Sequence, residues 1–254
     1  MATDMILRTN GLTKEFRGFV AVANVNLQVR RGDIHALIGP NGAGKTTFFN
    51  LLTKFLQPSN GTIYFNDRDI TRETPSQTAR RGVIRSFQIS AIFPHMTVFE
   101  NVRAALQRGL GSTFHFWKPE SALQSLRMRT LETLREVGLE CHASELAISL
   151  PYGQKRALEL ATTLALKPEL MLLDEPTQGM GHEDVDKVTQ LIKRVSVGRT
   201  VLMVEHNMNV VSSIANRITV LQRGTVIADG SYSEVSKDPA VVEAYMGTEI
   251  NRGL

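Results

Sequence analysis

Gly39-Pro40-Asn41-Gly42-Ala43-Gly44-Lys45-Thr46 is the stretch whose reading decides the fold. It fits the phosphate-loop pattern, a glycine, four residues, then Gly-Lys-Thr. Upstream, Ile34-His35-Ala36-Leu37-Ile38 reads as a buried strand, and downstream Thr47-Phe48-Phe49-Asn50-Leu51-Leu52 reads as a helix with an apolar side. The three glycines let the backbone wrap an anion with its N–H groups turned inward. The helix that follows adds the positive end of its dipole. Lys45 is placed to reach the β- and γ-phosphates, and the Thr46 hydroxyl to ligate Mg²⁺. The stretch therefore predicts a nucleoside triphosphate bound with magnesium.

Three more segments read as strands that end in polar residues. Glu169-Leu170-Met171-Leu172-Leu173-Asp174-Glu175-Pro176 opens on an unbroken apolar run, the mark of a central strand covered on both faces. Pro176 stops its ladder. Adjacent side chains leave a strand in opposite directions, so one carboxylate is expected to face a metal and the other an attacking water. Asp174 would hold Mg²⁺ through water, and Glu175 would polarise the nucleophile. Arg199-Thr200-Val201-Leu202-Met203-Val204 ends at Glu205-His206, and Val83-Ile84-Arg85-Ser86-Phe87 ends at Gln88. Ligands of open α/β sheets gather at such carboxyl ends, although a lone histidine serves structure as often as function.

Around these lie flanking elements. Ile6 to Arg30 looks β-rich, with alternation over Ala21–Val29. Phe16 within it would either stack on a purine base or face the core. Gln57–Gly61 is a turn and Thr62–Asn66 a further strand. Val98–Leu106 and Leu123–Val137 carry helical periodicity, with Gly138 as a C-cap. Between those helices, Phe114-His115-Phe116-Trp117-Lys118 is either packing or an exposed patch for a partner. Asp184–Arg194 reads as a helix, and Ile218–Leu221 with Gly224–Gly230 as a closing hairpin. Val241–Met246 reads as a short helix capped by Gly247.

Composition sets the outer limits. The 254 residues suffice for one or two domains with full cores. Hydrophobic content of 42% and charged content of 21% are ordinary for a globular chain. No apolar run nears the roughly 20 residues of a membrane-spanning helix. The start, Met1-Ala2-Thr3-Asp4-Met5-Ile6-Leu7, has neither the basic nor the long apolar region of a secretory signal. The single cysteine, Cys141, rules out an internal disulfide and a cysteine-built zinc site, so the cytosol or a cytosolic membrane face is expected. A net charge of +4 argues for neither nucleic acid nor lipid.

With these motifs in order, the chain resembles the ATP-binding subunit of ABC transporters along nearly its whole length. Gly39–Thr46 is similar to Walker A and Leu170–Glu175 to Walker B with its following glutamate. Gln88 falls at the Q-loop, His206 at the switch histidine, and Phe16 where that family stacks an aromatic on adenine. Leu150-Pro151-Tyr152-Gly153-Gln154 resembles the signature Leu-Ser-Gly-Gly-Gln. Pro151 replaces its serine and cannot donate a hydroxyl, so backbone N–H groups at Tyr152 and Gly153 would carry more of the load. Gly181 stands where the D-loop, here Thr177–His182, usually has aspartate. The Leu-Pro-Tyr-Gly-Gln signature, Phe93–Val102 after Ser86-Phe87-Gln88, and the tail Glu243–Gly247 look like importers of branched-chain and other hydrophobic amino acids. Importers of urea, amides and aromatic acids share much of this pattern, and lipopolysaccharide export ATPases part of it.

The resemblance implies an α/β P-loop NTPase core, a mixed central sheet with flanking helices and an N-terminal antiparallel β part, plus an α-helical subdomain. Residues 6–93 and 160–235 would form the core, 94–159 the helical signature subdomain and 236–254 a C-terminal extension. Gly39, Pro40, Asn41, Gly42, Ala43, Gly44, Lys45, Thr46 and Thr47 would wrap the phosphates of ATP, with Phe16 on the base. Tyr152, Gly153 and Gln154 would reach a partner's nucleotide. Thr46, Gln88 and Asp174 would serve Mg²⁺, while Glu175, His206, Gln88 and Lys45 would catalyse hydrolysis. The implied partners are integral permease subunits, a second copy or paralogue and, indirectly, an extracytoplasmic solute receptor, at the cytoplasmic face of the membrane. A soluble relative acting on nucleic acid is the remote alternative. Such proteins usually carry two cassettes, a coiled coil or a zinc module, and this chain has one phosphate loop, one cysteine and no sustained heptads.

Overall fold

Alternation in the first thirty residues builds a long antiparallel hairpin, β1 (Met5–Phe16) and β2 (Phe19–Arg30). The computed structural model describes residues 4–86, 92–109 and 120–250. After the turn at Gly32, β3 (Ile34–Ile38) runs into the phosphate loop and α1 (Lys45–Leu52). β4 (Asn60–Phe65) and β5 (Arg68–Asp69) then extend the first hairpin into a four-stranded sheet, order β2-β1-β4-β5. A capping box at Thr74 starts α2 (Pro75–Arg80), and β6 (Val83–Ser86) follows. Three helices come next: α3 (Val98–Gly109), α4 (Glu120–Val137) and α5 (Tyr152–Ala165). The chain then alternates through β7 (Leu170–Asp174), α6 (His182–Val195), β8 (Thr200–Val204) and α7 (Met208–Ile214). It closes with β9 (Arg217–Gln222), β10 (Thr225–Gly230), α8 (Tyr232–Val235) and α9 (Pro239–Ile250).

The second sheet has six strands in the order β10-β9-β3-β8-β7-β6. β9, β3, β8, β7 and β6 run parallel, and β10 returns antiparallel on β9. The sheet is covered on both faces, and its central strands are wholly buried. Their pleat divides the core in two. Leu37, Leu170, Leu172, Leu202 and Val204 face α1 and the antiparallel sheet, against Phe48 and Phe49. Ala36, Ile38, Met171, Leu173, Val201 and Met203 face the other way, in one apolar cluster with Val98, Leu126, Leu134, Leu158 and Ile192 of the helices. The run-on apolar pattern of these strands is the direct consequence. His35 is tolerated in β3 because its Nε2 lies 2.7 Å from the Thr219 hydroxyl on the neighbouring strand. Burial holds this histidine down to about 4, hence neutral.

Gly138 ends α4 in the left-handed region at φ 77°, and the Leu139 N–H reaches back 2.9 Å to the Leu134 carbonyl. That is the 6→1 closure expected of a glycine cap. Two expectations need correction. Gly247 does not cap the last helix, which continues through it to Ile250. Glu175 is not on the strand: β7 ends at Asp174, and Glu175 adopts φ 48°. A left-handed residue, not strand alternation, turns the two carboxylates apart. The aromatic segment Phe114–Lys118 and Gln88 lie outside the described residues.

Candidate functional site

The parallel strands deliver their carboxyl ends to one edge, where the phosphate loop follows β3, Asp174-Glu175 closes β7 and Glu205-His206 follows β8. The loop admits no side chain at two of its glycines. A Cβ on Gly39 would stand 2.1 Å from the Leu221 carbonyl oxygen, and one on Gly44 2.4 Å from that of Ala21. Gly44, at φ 99°, is also the N-cap of α1, with no side chain to occupy the first N–H groups. Pro40 is partly exposed, Asn41, Gly42 and Thr46 are exposed, Thr47 is half-buried, and Ala43 is buried with its carbonyl taken by Gly224 N–H at 2.9 Å. Lys45 is buried and donates to the carbonyl oxygens of Gly39 at 2.7 Å and Pro40 at 2.9 Å. Burial pushes its ammonium below the usual lysine range, while the Glu175 and Asp174 carboxylates pull it back up.

Asp174 is buried, and its Oδ2 accepts from the guanidinium of Arg85 on β6. The other end of that guanidinium donates to Asn50 Oδ1 on α1 at 2.6 Å. One arginine thus fastens the acidic strand end to the helix of the phosphate loop. Glu175 Oε1 accepts from His206 Nε2 at 2.7 Å. The structure therefore gathers Lys45, Asp174, Glu175 and His206 at one edge. Glu205 beside them is 3% exposed. Its carboxylate accepts from the Thr177 hydroxyl, from Thr177 N–H at 3.2 Å, and from the N–H groups of His206 at 2.7 Å and Asn207 at 2.9 Å. It joins the loop after Glu175 to the loop that carries His206.

Arg85 and Glu205 are the residues that motif reading passes over. A signal existed for each: a lone charge at the end of an apolar strand must find a counter-charge or donors if it is buried.

Other elements hold the remaining residues. Phe16 is 41% exposed at the tip of the first hairpin, with Lys14 Nζ 5.1 Å from its ring centre. It faces solvent, not the core. Tyr152, Gly153 and Gln154 are the first turn of α5, behind Pro151 as N-cap, and an α-helix gives such N–H groups no internal acceptor. Tyr152 is 46% exposed, and its hydroxyl donates to the Gln178 carbonyl at 3.1 Å. Gln154 Nε2 lies 3.3 Å from His142 Nε2. From the tail, Tyr245 packs against the helix-side core and meets the backbone N–H of Gly39. Burial pushes this phenol up to about 12, against the opposing pull of that hydrogen bond.

A phosphate loop between a buried parallel strand and a helix, flanked by strand-end carboxylates, defines a P-loop nucleotide-binding protein. Within that class the chain belongs to the ABC transporter family, which it matches over residues 22–178. Residues 225–250 also match the family described as branched-chain amino acid ATP-binding cassette transporter. The high-affinity branched-chain amino acid transport ATP-binding protein LivG of Salmonella typhimurium is 39% identical, over 95% of this chain and 98% of its own. A solved ATP-binding cassette of an ABC transporter in its ADP conformation superposes with TM-score 0.84 at 30% identity, covering 96% of this chain and 100% of that one. A dimeric cassette in a post-hydrolysis state, bound to ADP and phosphate, gives 0.73 at 26% identity, covering 89% and 98%. The resemblance read from motif order thus holds, and the chain is an ABC ATPase.

Proposed function

We propose that this chain hydrolyses ATP to power a membrane importer of branched-chain amino acids. The hydrogen-bonded Glu175–His206 pair beside the phosphate loop carries the hydrolytic part of this reading. The relatives' names and the match of residues 225–250 support the substrate class. Glu175 would take the proton of the attacking water, with His206 holding that carboxylate in place. Lys45 and the N–H groups of the loop would stabilise charge on the phosphates. Magnesium fits the donor set: Thr46 and Asp174 offer hard oxygen ligands, and Arg85 engages only one Asp174 oxygen. When bound, the ion supplies charge neutralisation on the phosphates. Gln88, the further expected ligand, lies outside the described residues.

Tyr152, Gly153 and Gln154 would present the start of α5 to the nucleotide of a second copy or paralogue. Each γ-phosphate would then bridge two subunits, so ATP favours the closed pair and hydrolysis its opening. Residues 94–159 would seat the permease subunits at the cytoplasmic face of the membrane. No helix among the described residues is long and apolar enough to cross a membrane itself. The test is leucine uptake into vesicles carrying the permease subunits, the receptor and this chain. Uptake that requires internal MgATP and disappears with Glu175→Gln is expected. ATP-dependent export, or urea taken up in preference to leucine, would overturn the assignment.

A further inference from the structure

Tyr152 takes the place of a glycine in the signature, and its hydroxyl has a task within its own chain. It donates to the Gln178 carbonyl at 3.1 Å and accepts from Arg156 Nη2 at 2.9 Å. The Arg156 guanidinium also lies over the ring, 5.3 Å from its centre, and is fixed in turn by Glu159 at 2.7 Å. The ring is thus held from one side and the hydroxyl aimed at the loop after Glu175. That loop is short and tied down. Gln178 N–H returns 3.1 Å to the Glu175 carbonyl, and Thr177 is gripped by Glu205, which also holds the backbone of His206. From the tyrosine hydroxyl to the Glu175–His206 pair there is one turn of chain and one buried carboxylate.

We infer that Tyr152 is a positioning residue that couples the signature corner to the Glu175–His206 pair of the same chain. The inference rests on the proposed pairing of two cassettes. In such a pair the signature corner touches one nucleotide while Glu175 acts on the other, so the hydroxyl transmits occupancy of the first site to the geometry of the second. The link is energetic coupling through a packed, hydrogen-bonded turn, and a mutant cycle measures it directly.

The experiment uses the transporter assembled with its membrane subunits and compares wild type, Tyr152→Phe, His206→Ala and the double variant. Phenylalanine keeps the ring and removes only the hydroxyl. The change removes the hydroxyl's bonds to Gln178 and to Arg156, and loss of the one that reaches the loop lowers kcat about three- to tenfold, with KM for MgATP within about twofold. In the His206→Ala background the same change costs less than about twofold, because the pair it acts through is already broken. Equal losses in both backgrounds would overturn the inference. So would a raised KM with kcat intact, which makes the tyrosine a local nucleotide contact. A melting temperature that falls in proportion to activity would make the hydroxyl merely structural and overturn it too. Wild-type turnover matched by Tyr152→Phe defeats the coupling alone, whereas a wild-type complex without MgATP turnover defeats the functional reading beneath it.

Discussion

The edge of the sheet and the start of α5, which we propose serve the same nucleotide chemistry, are built in opposite ways. At the sheet edge Lys45, Asp174 and Glu205 are buried, and each is held by a partner within the chain. At the start of α5, Pro151 and Tyr152 are exposed, and the orphan N–H groups of the first turn are the main asset. The first region is organised by strands whose register fixes every charge. The second is one helix end fastened to the first by a tyrosine hydroxyl. Charges that must act on chemistry sit in a prebuilt, low-dielectric frame, where a fixed dipole does the most. The donors proposed to meet a second copy stay at the surface.

Variants on each side break or sharpen this contrast. Glu175→Gln removes the proposed base, and kcat should fall roughly 100- to 10,000-fold with MgATP affinity kept, as steady-state rates and calorimetry will show. Arg85→Met leaves Asp174 buried without its counter-charge, and urea unfolding should report a loss of about 3–5 kcal/mol. Glu205→Gln replaces a four-fold acceptor by an amide with one acceptor oxygen, so the His206 and Thr177 backbones separate. Its kcat should drop roughly tenfold, from weakened bonds to a charged acceptor. Pro151→Ser alters the exposed corner only and restores a hydroxyl at a helix N-cap. It should change kcat less than about threefold while raising stability by up to about 1 kcal/mol. A larger effect at Pro151 than at Glu205 would reverse the contrast.

The sequence and the structure agree where function is encoded locally. A strand, a glycine turn and a lysine leave their marks within a dozen residues, and so do strands that end in Asp174-Glu175 or in His206. What stays hidden needs register between distant segments. Arg85 pairs with Leu172 across β6 and β7, which brings its side chain within reach of Asp174 two residues further on. Nothing in Val83–Ser86 alone announces that. Glu205 likewise reads as a strand end until Thr177 is folded beside it. The positive φ of Glu175 is a backbone choice that residue type does not advertise, since glutamate rarely adopts it. The tail reads as a family mark, whereas its physical role, Tyr245 laid against Gly39, depends on α9 returning across the molecule.

The claim beneath all of this is that a triphosphate held at Lys45 is shared with a second cassette. Sedimentation of the Glu175→Gln chain, alone and together with its membrane subunits and any paralogue assembled with them, tests it most directly. With MgATP the cassettes should sediment as a closed pair that separates when ADP replaces ATP. A chain that binds MgATP at Lys45 yet shows the same association with ATP, with ADP and without nucleotide would contradict the account.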